Sequence, residues 1–559
     1  MRLLIVGGYG TFGGRIVELL ESEPRLTILV AGRSAEKAAA FCASRGAVKA
    51  KLEAAVFDRD ADLGAQLARF SPDVVIDASG PFQDYGAGAY RLVDAAIDAR
   101  VHYLDLADGS NFVAGVSAFD ARAKAAGVYV LSGVSSFPVL TAAVVRVLTQ
   151  DMTRVEEIAG AIAPSPFAGV GENVIRAIAS YAGQPVARLG PNVKVIGRPF
   201  TQHRRYTIAP PGRTPLPNTL FSLVDVPDLR VLGELWPEAR RVWMGAGPVP
   251  EVLHRALILC AWLVRFGLLR TLAPLAPLMH WATNKVRWGE HRGGMFVEVK
   301  GKDADGRIRM RSWHLIAEGA DGPLIPAMAV QAIVLKQLHG HAQASGARAC
   351  VRELECADYE RLFASRTIYT GFRDAAAPGA PLYRCILGNA WDQLPARVRE
   401  MHNNVSEAAG VASVERGSNP LAWLAGLMMS FPPEQAETPV RVSFDVSSSA
   451  EMWTRTCGTH RFKSAQYEGK GRWERLLVER FGALEFAMAL VRDGERLRLV
   501  MRAWRAFGVP LSLWFAPRSD AYETEEGGVF HFFVEISHPL VGLIVRYRGW
   551  LKPTELEPG

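Results

Sequence analysis

The residues with the clearest chemistry stand at the amino terminus. Gly7-Gly8-Tyr9-Gly10-Thr11-Phe12-Gly13-Gly14 follows the apolar run Arg2-Leu3-Leu4-Ile5-Val6 without a spacer. Two glycine spacings coexist, Gly8-x-Gly10-x-x-Gly13 and Gly7-x-x-Gly10-x-x-Gly13. Either suits a turn that needs positive φ, which glycine adopts without a Cβ clash. Either also lets a pyrophosphate approach the backbone and meet the first N–H groups of a following helix, assisted by the helix dipole. Arg15-Ile16-Val17-Glu18-Leu19-Leu20 supplies that helix, and the preceding run supplies a buried strand. In this setting the glycines read as a dinucleotide fingerprint. Gly7, Gly8, Gly10, Thr11, Phe12 and Gly13 are the expected contacts. Arg33 stands twenty positions beyond Gly13, where an NAD site carries an Asp or Glu for the ribose hydroxyls. An Arg beside Ser34 suits the 2′-phosphate of NADP instead, since guanidinium pairs bidentately with phosphate. NADP is therefore expected ahead of NAD.

These groups need elements to hold them. Further strands are expected over residues 26–31, 52–57, 73–78, 102–106 and 127–131, alternating with helices over 34–45, 61–70 and 86–99. Ser34 is the expected N-cap of the first of these helices. Such alternation argues for an α/β fold with a Rossmann-type doubly wound parallel sheet. Ligands then bind beyond the carboxyl ends of the strands. The glycine turn, Arg33, Asp58, Ser79-Gly80-Pro81-Phe82 and the stretch from Asp105 to Asp108 fall along one rim.

Length and composition narrow the class. At 559 residues the chain is too long for one core, so several domains are expected. With 49% hydrophobic and 22% charged residues it is an ordinary globular chain and not a disordered one. The first strand begins at residue 2 with no charged segment ahead of it, so a secretory signal is not expected. Six cysteines occur with no C-x-x-C pair and no accompanying histidines. They read as reduced thiols of a cytoplasmic protein, with no metal site. The net charge of +7 is spread without long basic blocks. It suits an acidic ligand or an anionic membrane surface and gives no reason to expect nucleic acid.

Four motifs carry a resemblance. Gly-Gly-Tyr-Gly-Thr-Phe-Gly-Gly, Ala31-Gly32-Arg33-Ser34, Asp77-Ala78-Ser79-Gly80-Pro81-Phe82 and His102-Tyr103-Leu104-Asp105 together resemble the saccharopine dehydrogenase-like oxidoreductases, over roughly residues 1–370. The resemblance implies that Gly80, Pro81 and Phe82 line the cofactor cleft, and Ser79 precedes them on the same rim as a further expected cofactor contact. It implies that Tyr103 and Asp105 face the reacting centre, where an acid or phenol can polarise the acceptor. Within this fold Asp58 suits the adenine amino group. The family covers lysine-pathway enzymes and trans-acting enoyl reductases that act on lipid-like chains, so hydride transfer to or from a C=O, C=N or conjugated C=C substrate is expected. The absence of a Tyr-x-x-x-Lys pair and of a conspicuous catalytic His in the first domain keeps a second class open. That class is a non-catalytic nucleotide-binding sensor or scaffold with a C-terminal ligand-binding module.

Three domains are expected: a dinucleotide-binding domain over 1–150, an α+β substrate and dimerisation domain over 151–373, and a β-rich module over 385–555. In the second, residues 158–162 and 312–318 read as strands, and 171–181 and 327–338 as helices. His314 lies in one of these strands, where a lone His is more often packed than catalytic. Residues 252–281 are apolar on all faces near Trp262 but are interrupted by Arg265, Arg270, Pro274 and Pro277, too short for a membrane span. Two readings stand: a buried core or oligomer helix, compatible with a homodimer, or an interfacial helix giving peripheral membrane contact. Residues 374–381 read as a linker. Beyond them, Glu451-x-Trp453-x-Arg455 and Tyr547-Arg548-Gly549-Trp550-Leu551 resemble an uncharacterised DUF4166-type domain found fused to such chains. Trp453, Arg455, Arg480, Arg502, Trp504, Arg546 and Trp550 are candidates to line a cavity for an acidic, partly apolar molecule, against the alternative that the arginines are a solvated face.

Overall fold

Apolar runs bounded by turn residues make the first sheet. The computed structural model describes residues 1–190, 193–375, 377–403, 405–429, 431–447 and 450–554. Strands β1 (Arg2–Val6), β2 (Thr27–Gly32), β3 (Lys51–Val56), β4 (Val74–Asp77), β5 (His102–Asp105) and β6 (Tyr129–Ser132) pair in parallel in the order β6-β5-β4-β1-β2-β3. Helices α1 (Thr11–Leu20), α2 (Ala35–Ser44), α3 (Leu63–Phe70), α4 (Arg91–Asp98), α5 (Ser110–Gly115) and α6 (Asp120–Ala126) alternate with them. β1, β2, β4, β5 and β6 bury nearly all their side chains, as expected of a sheet covered on both faces, whereas the edge strand β3 buries only Ala55. Ser34 caps α2 by accepting a hydrogen bond from the Lys37 N–H, and Asp62 caps α3 through the Ala65 N–H. The strand order reverses between β1 and β4, where Val6 lies beside Ala31 on one side and Asp77 on the other. That reversal opens the crevice that ligands of doubly wound sheets occupy.

The sheet has a seventh strand that the local pattern did not reveal. Gly346–Ala349 runs parallel to β6, with Gly346 opposite Tyr129. The helix Ile325–Leu338 also packs on α1, where the Gln331 amide donates to the Leu19 carbonyl at 2.9 Å. Residues 1–150 are thus completed by later chain. Contacts divide the protein into two compact units: residues 1–205 with 219–369, and residues 206–218 with 370–559.

The first unit's second sheet is mixed. Its central strand Arg154–Ala163 is parallel to Arg241–Ala246 and antiparallel to Arg292–Lys302, which pairs in turn with Ile308–Glu318. The stretch over 252–281 forms the helix Glu251–Arg265 and most of the helix Ala276–Lys285. It is not a buried core element: of the first helix only His254, Ala261 and Val264 are buried. No helix among the described residues is long and apolar enough to cross a membrane.

The second unit is a β-barrel. Among the described residues eleven strands run from Glu407–Arg416 to Gly542–Pro553; ten form an antiparallel ring whose last strand pairs with the first through Val411 and Trp550, and the short Val509–Leu511 pairs only with Arg496–Ala506. Closure removes the exposed edges a sheet of this size would otherwise present. Leu477, Leu497, Phe530 and Leu551 centre its core. Among the expected cavity residues Trp453 and Arg455 do line the interior. Arg455 is paired there with Glu479 at 3.0 Å. Arg480, Arg546 and Trp550 take outward positions, one residue out of phase with the inward Glu479 and Tyr547. In the expected linker over 374–381, Ala376 lies outside the described residues, as do Pro191 and Asn192.

Candidate functional site

A cleft of about 940 Å³ lies over the carboxyl ends of β1 to β4. Gly7, Gly10, Thr11 and Phe12 form its floor. Gly10 is the N-cap of α1, and no side chain caps the helix, so its first-turn N–H groups are available to an anion. Two glycines make this approach possible. Gly7 has φ of +77°, and a Cβ there would sit 2.9 Å from the Ala78 carbonyl oxygen. A Cβ on Gly13 would sit 2.1 Å from the Gly7 carbonyl oxygen, inside van der Waals contact with immobile backbone. Gly13 and Gly8 do not line the cleft; they let the turn pack on α1 and on β2.

Loops after the other strands complete the rim. Arg33, exposed at the end of β2, lines the cleft, as do Asp58, Ser79, Gly80, Pro81 and Phe82. Ser34 does not; its hydroxyl is engaged as the cap of α2. Asn173 holds the Ser79–Pro81 loop by donating to the Gly80 carbonyl at 2.7 Å. Arg59 was missed. It lies 3.6 Å over the Tyr85 ring and 3.5 Å from Asp77, and it lines the cleft beside Asp58. Its signal was its place just beyond the third strand. A dinucleotide fits this set: glycine backbone and α1 for the pyrophosphate, Arg33 and Arg59 for anionic or aromatic parts, and a cradle that a Cβ would fill.

Tyr103 and Asp105 do not face the reacting centre. Both are 0% exposed and line no part of the cleft. The expectation erred because the last residues of β5 still alternate within the sheet, so their side chains point into protein. One oxygen of Asp105 accepts from the Ala107 N–H, the Gly133 N–H and the Ser132 hydroxyl, at 2.8–3.0 Å. Tyr103 donates to Asp77 at 3.5 Å, and Asp77 in turn accepts from Ser79. Both residues hold the loops that build the rim.

Burial pushes the Asp105 carboxyl up to about 7, against its three hydrogen bonds. The buried Asp228 is pushed up to about 7 for the same reason. Unfolded Asp titrates near 3.9, so the folded chain keeps both protons where the unfolded chain loses them. Their contribution to stability is full below about pH 4 and is lost as pH rises through about 7, at about 4 kcal/mol per group. The thermal midpoint should therefore fall between about pH 5 and pH 8. Asp228→Asn should flatten part of that fall in thermal scans; an unchanged slope would contradict the assignment.

A second cavity of about 540 Å³ opens from the cleft. Thr11, Phe12, Asp108, Gly171 and Val174 line both spaces. Its walls are almost wholly apolar, including Ile175, Ile178, Leu257, Met279 and Leu315. Few polar side chains interrupt them. Asp108 accepts from the Gln83 amide at 3.0 Å, and Asp225 accepts from the Ser110 hydroxyl. Burial raises both carboxyls above their ordinary range, and the charge of Asp108 adds to the shift at Asp225. His254 also lines the space; burial lowers its pKa to about 4, and it bonds Ser222 at 2.8 Å, so it is neutral. His314 is packed in its strand against Ser312 and reaches neither cavity. The acid at the junction of the two spaces is Asp108, three residues beyond the Asp105 that the motif had favoured.

Comparison with known proteins follows this geometry. Residues 3–131 match the saccharopine dehydrogenase NADP binding domain, and residues 394–551 match a domain of unknown function, DUF4166. No protein of curated function matches the sequence. Among solved structures, apo histidine-tagged saccharopine dehydrogenase (L-Glu forming) from Saccharomyces cerevisiae is similar at 14% identity and a TM-score of 0.47, covering 67% of this chain and 100% of its own. The WlbA (WbpB) dehydrogenase from Thermus thermophilus, in complex with NAD and alpha-ketoglutarate, is similar at 13% identity and a TM-score of 0.29, over 62% and 90% of the two chains. Biliverdin reductase from Synechocystis, in complex with biliverdin and NADP+, is similar at 12% identity and a TM-score of 0.29, over 61% and 92%. The chain thus carries a nicotinamide-dinucleotide-binding domain of the saccharopine dehydrogenase type at residues 3–131 and a DUF4166 domain at residues 394–551.

Proposed function

We propose that this protein is an NADP-dependent oxidoreductase acting on an apolar, lipid-like substrate with a C=O, C=N or conjugated C=C bond. One observation carries the reading: the dinucleotide cleft and a mostly apolar cavity share a boundary at which one half-buried carboxyl, Asp108, stands. When bound, the cofactor supplies the hydride. Gly7, Gly10 and the start of α1 bind its pyrophosphate, and Phe12 and Val174 exclude water where the two cavities meet. Burial raises the Asp108 pKa above the ordinary carboxylate range, which favours its protonated form as the donor of a proton to the atom of the acceptor that gains negative charge. Apolar walls grip the rest of the substrate by surface burial, at about 25 cal/mol per Å².

Two measurements test this. NADPH consumption with a series of unsaturated or carbonyl acceptors of growing alkyl length should show kcat/KM rising with chain length; a flat or falling series would rule out the apolar site. NADP preference rests on Arg33, which stands exposed on the cleft where an NAD site has a carboxylate. Arg33→Asp should weaken NADPH binding about 10- to 100-fold in calorimetry, the worth of a charge-assisted pair plus new repulsion, while sparing NADH. Equal affinities would refute the NADP assignment. Binding of NADPH without turnover of any acceptor would favour the nucleotide-sensor alternative.

A further inference from the structure

We infer that the face built by residues 249–288 docks on an anionic lipid bilayer, and that the apolar cavity opens onto this face so that its substrate enters from the membrane. The second half of this inference rests on the proposed substrate site; the docking does not.

Three observations carry it. Leu259, Phe266, Leu268, Leu278, Trp281 and Trp288 are large apolar side chains exposed from 57% at Trp288 to 71% at Leu268. A cluster of this kind in one surface region marks an interaction site rather than ordinary surface. The charge around it is one-sided. Residues 251–288 hold Arg255, Arg265, Arg270, Lys285 and Arg287 against the single carboxylate of Glu251. All five cations are exposed, and the Arg265 guanidinium lies 4.4 Å over the Trp262 ring. Apolar side chains flanked by arginines and tryptophans are the composition of an interfacial segment. Finally, Leu275 and Leu278 are exposed and also line the cavity. The mouth of the substrate space therefore lies within the apolar face.

Charge selects the occupant. Two copies of this face would bring like charges together, whereas an anionic headgroup layer complements them. The two helices cannot span the bilayer, so the contact is peripheral.

Flotation of the full-length protein with vesicles tests the docking without turnover. One set is phosphatidylcholine alone; the other adds phosphatidylserine. The protein should float with the anionic vesicles about tenfold more than with the neutral ones. The double variant Phe266→Glu/Leu268→Glu should lose that association by about tenfold. Neither residue lines the cleft or the apolar cavity, so its NADPH affinity and thermal midpoint should be unchanged. A wild-type protein that stays in the soluble fraction, or a variant that floats equally well, overturns the proposal. So does a wild-type dimer that the variant converts to a monomer, which would assign the face to a second copy. Failure of flotation alongside NADPH-dependent turnover removes the docking alone; flotation without turnover removes the redox reading alone.

Discussion

Asp108→Asn should lower kcat about 10²-fold or more while leaving the NADPH dissociation constant unchanged. Asp108 lies where the dinucleotide cleft and the apolar cavity meet, and no other titratable side chain among the described residues lines both. Asparagine keeps the shape and an acceptor for the Gln83 amide, so the loop after β5 should hold. What it removes is a transferable proton, and general acids of this kind contribute about 10²- to 10⁴-fold. The pH profile adds a readout that misfolding would not mimic. Burial raises this carboxyl, and the reaction uses its protonated form, so wild-type kcat/KM should fall as pH rises through that raised value. The variant should lose this limb. An unchanged kcat with an intact alkaline limb would remove Asp108 from the mechanism.

Gly13→Ala should weaken NADPH binding about 100-fold and lower the thermal midpoint. The added Cβ would stand 2.1 Å from the Gly7 carbonyl oxygen and 2.7 Å from the Gly8 Cα. Both are backbone atoms of the turn that must cradle the pyrophosphate. The turn can relieve the clash only by moving off α1, which costs about 1–3 kcal/mol and displaces the N–H groups from the anion. Gly64→Ala is the control. It lies in α3, where a Cβ meets nothing closer than 3.5 Å, and replacing a helical Gly should raise stability by up to about 1 kcal/mol. Calorimetry and thermal scans on both variants check the pair; an unaltered NADPH affinity in Gly13→Ala would contradict the assigned role of the turn.

The first sheet was legible because its signals are local. Most strands of the dinucleotide fold are apolar runs, and their turns carry glycine, Asp or Ser. What local pattern could not show is pairing between distant segments. Gly346-Ala347-Arg348-Ala349 has no strand-forming character of its own, yet it completes the sheet beside β6. Some barrel strands were hidden similarly. Glu407–Arg416 is rich in alanine and Arg518–Glu526 in charge, and ladder pairing on both sides makes strands of them. At the site, the motif indicated the right loop but not the right carboxylate. Whether Asp105 or Asp108 reaches the cleft depends on where β5 ends, and a shift of a residue or two decides which side chains turn inward. The apolar cavity was invisible because its walls come from elements scattered between residues 11 and 326. The stretch over 252–281 read as hydrophobic, but only the structure separates the side chains that line a cavity from those left exposed.

Isotope transfer tests the central claim most directly. NADPH carrying deuterium at the transferable C4 position is incubated with the full-length protein and a long-chain unsaturated or carbonyl acceptor, and the product is examined by mass spectrometry. A cleft that opens into an apolar cavity should yield product one deuterium heavier, with the label on the carbon that received the hydride. Product without label, or no product from any long-chain acceptor while NADPH binds, would contradict it.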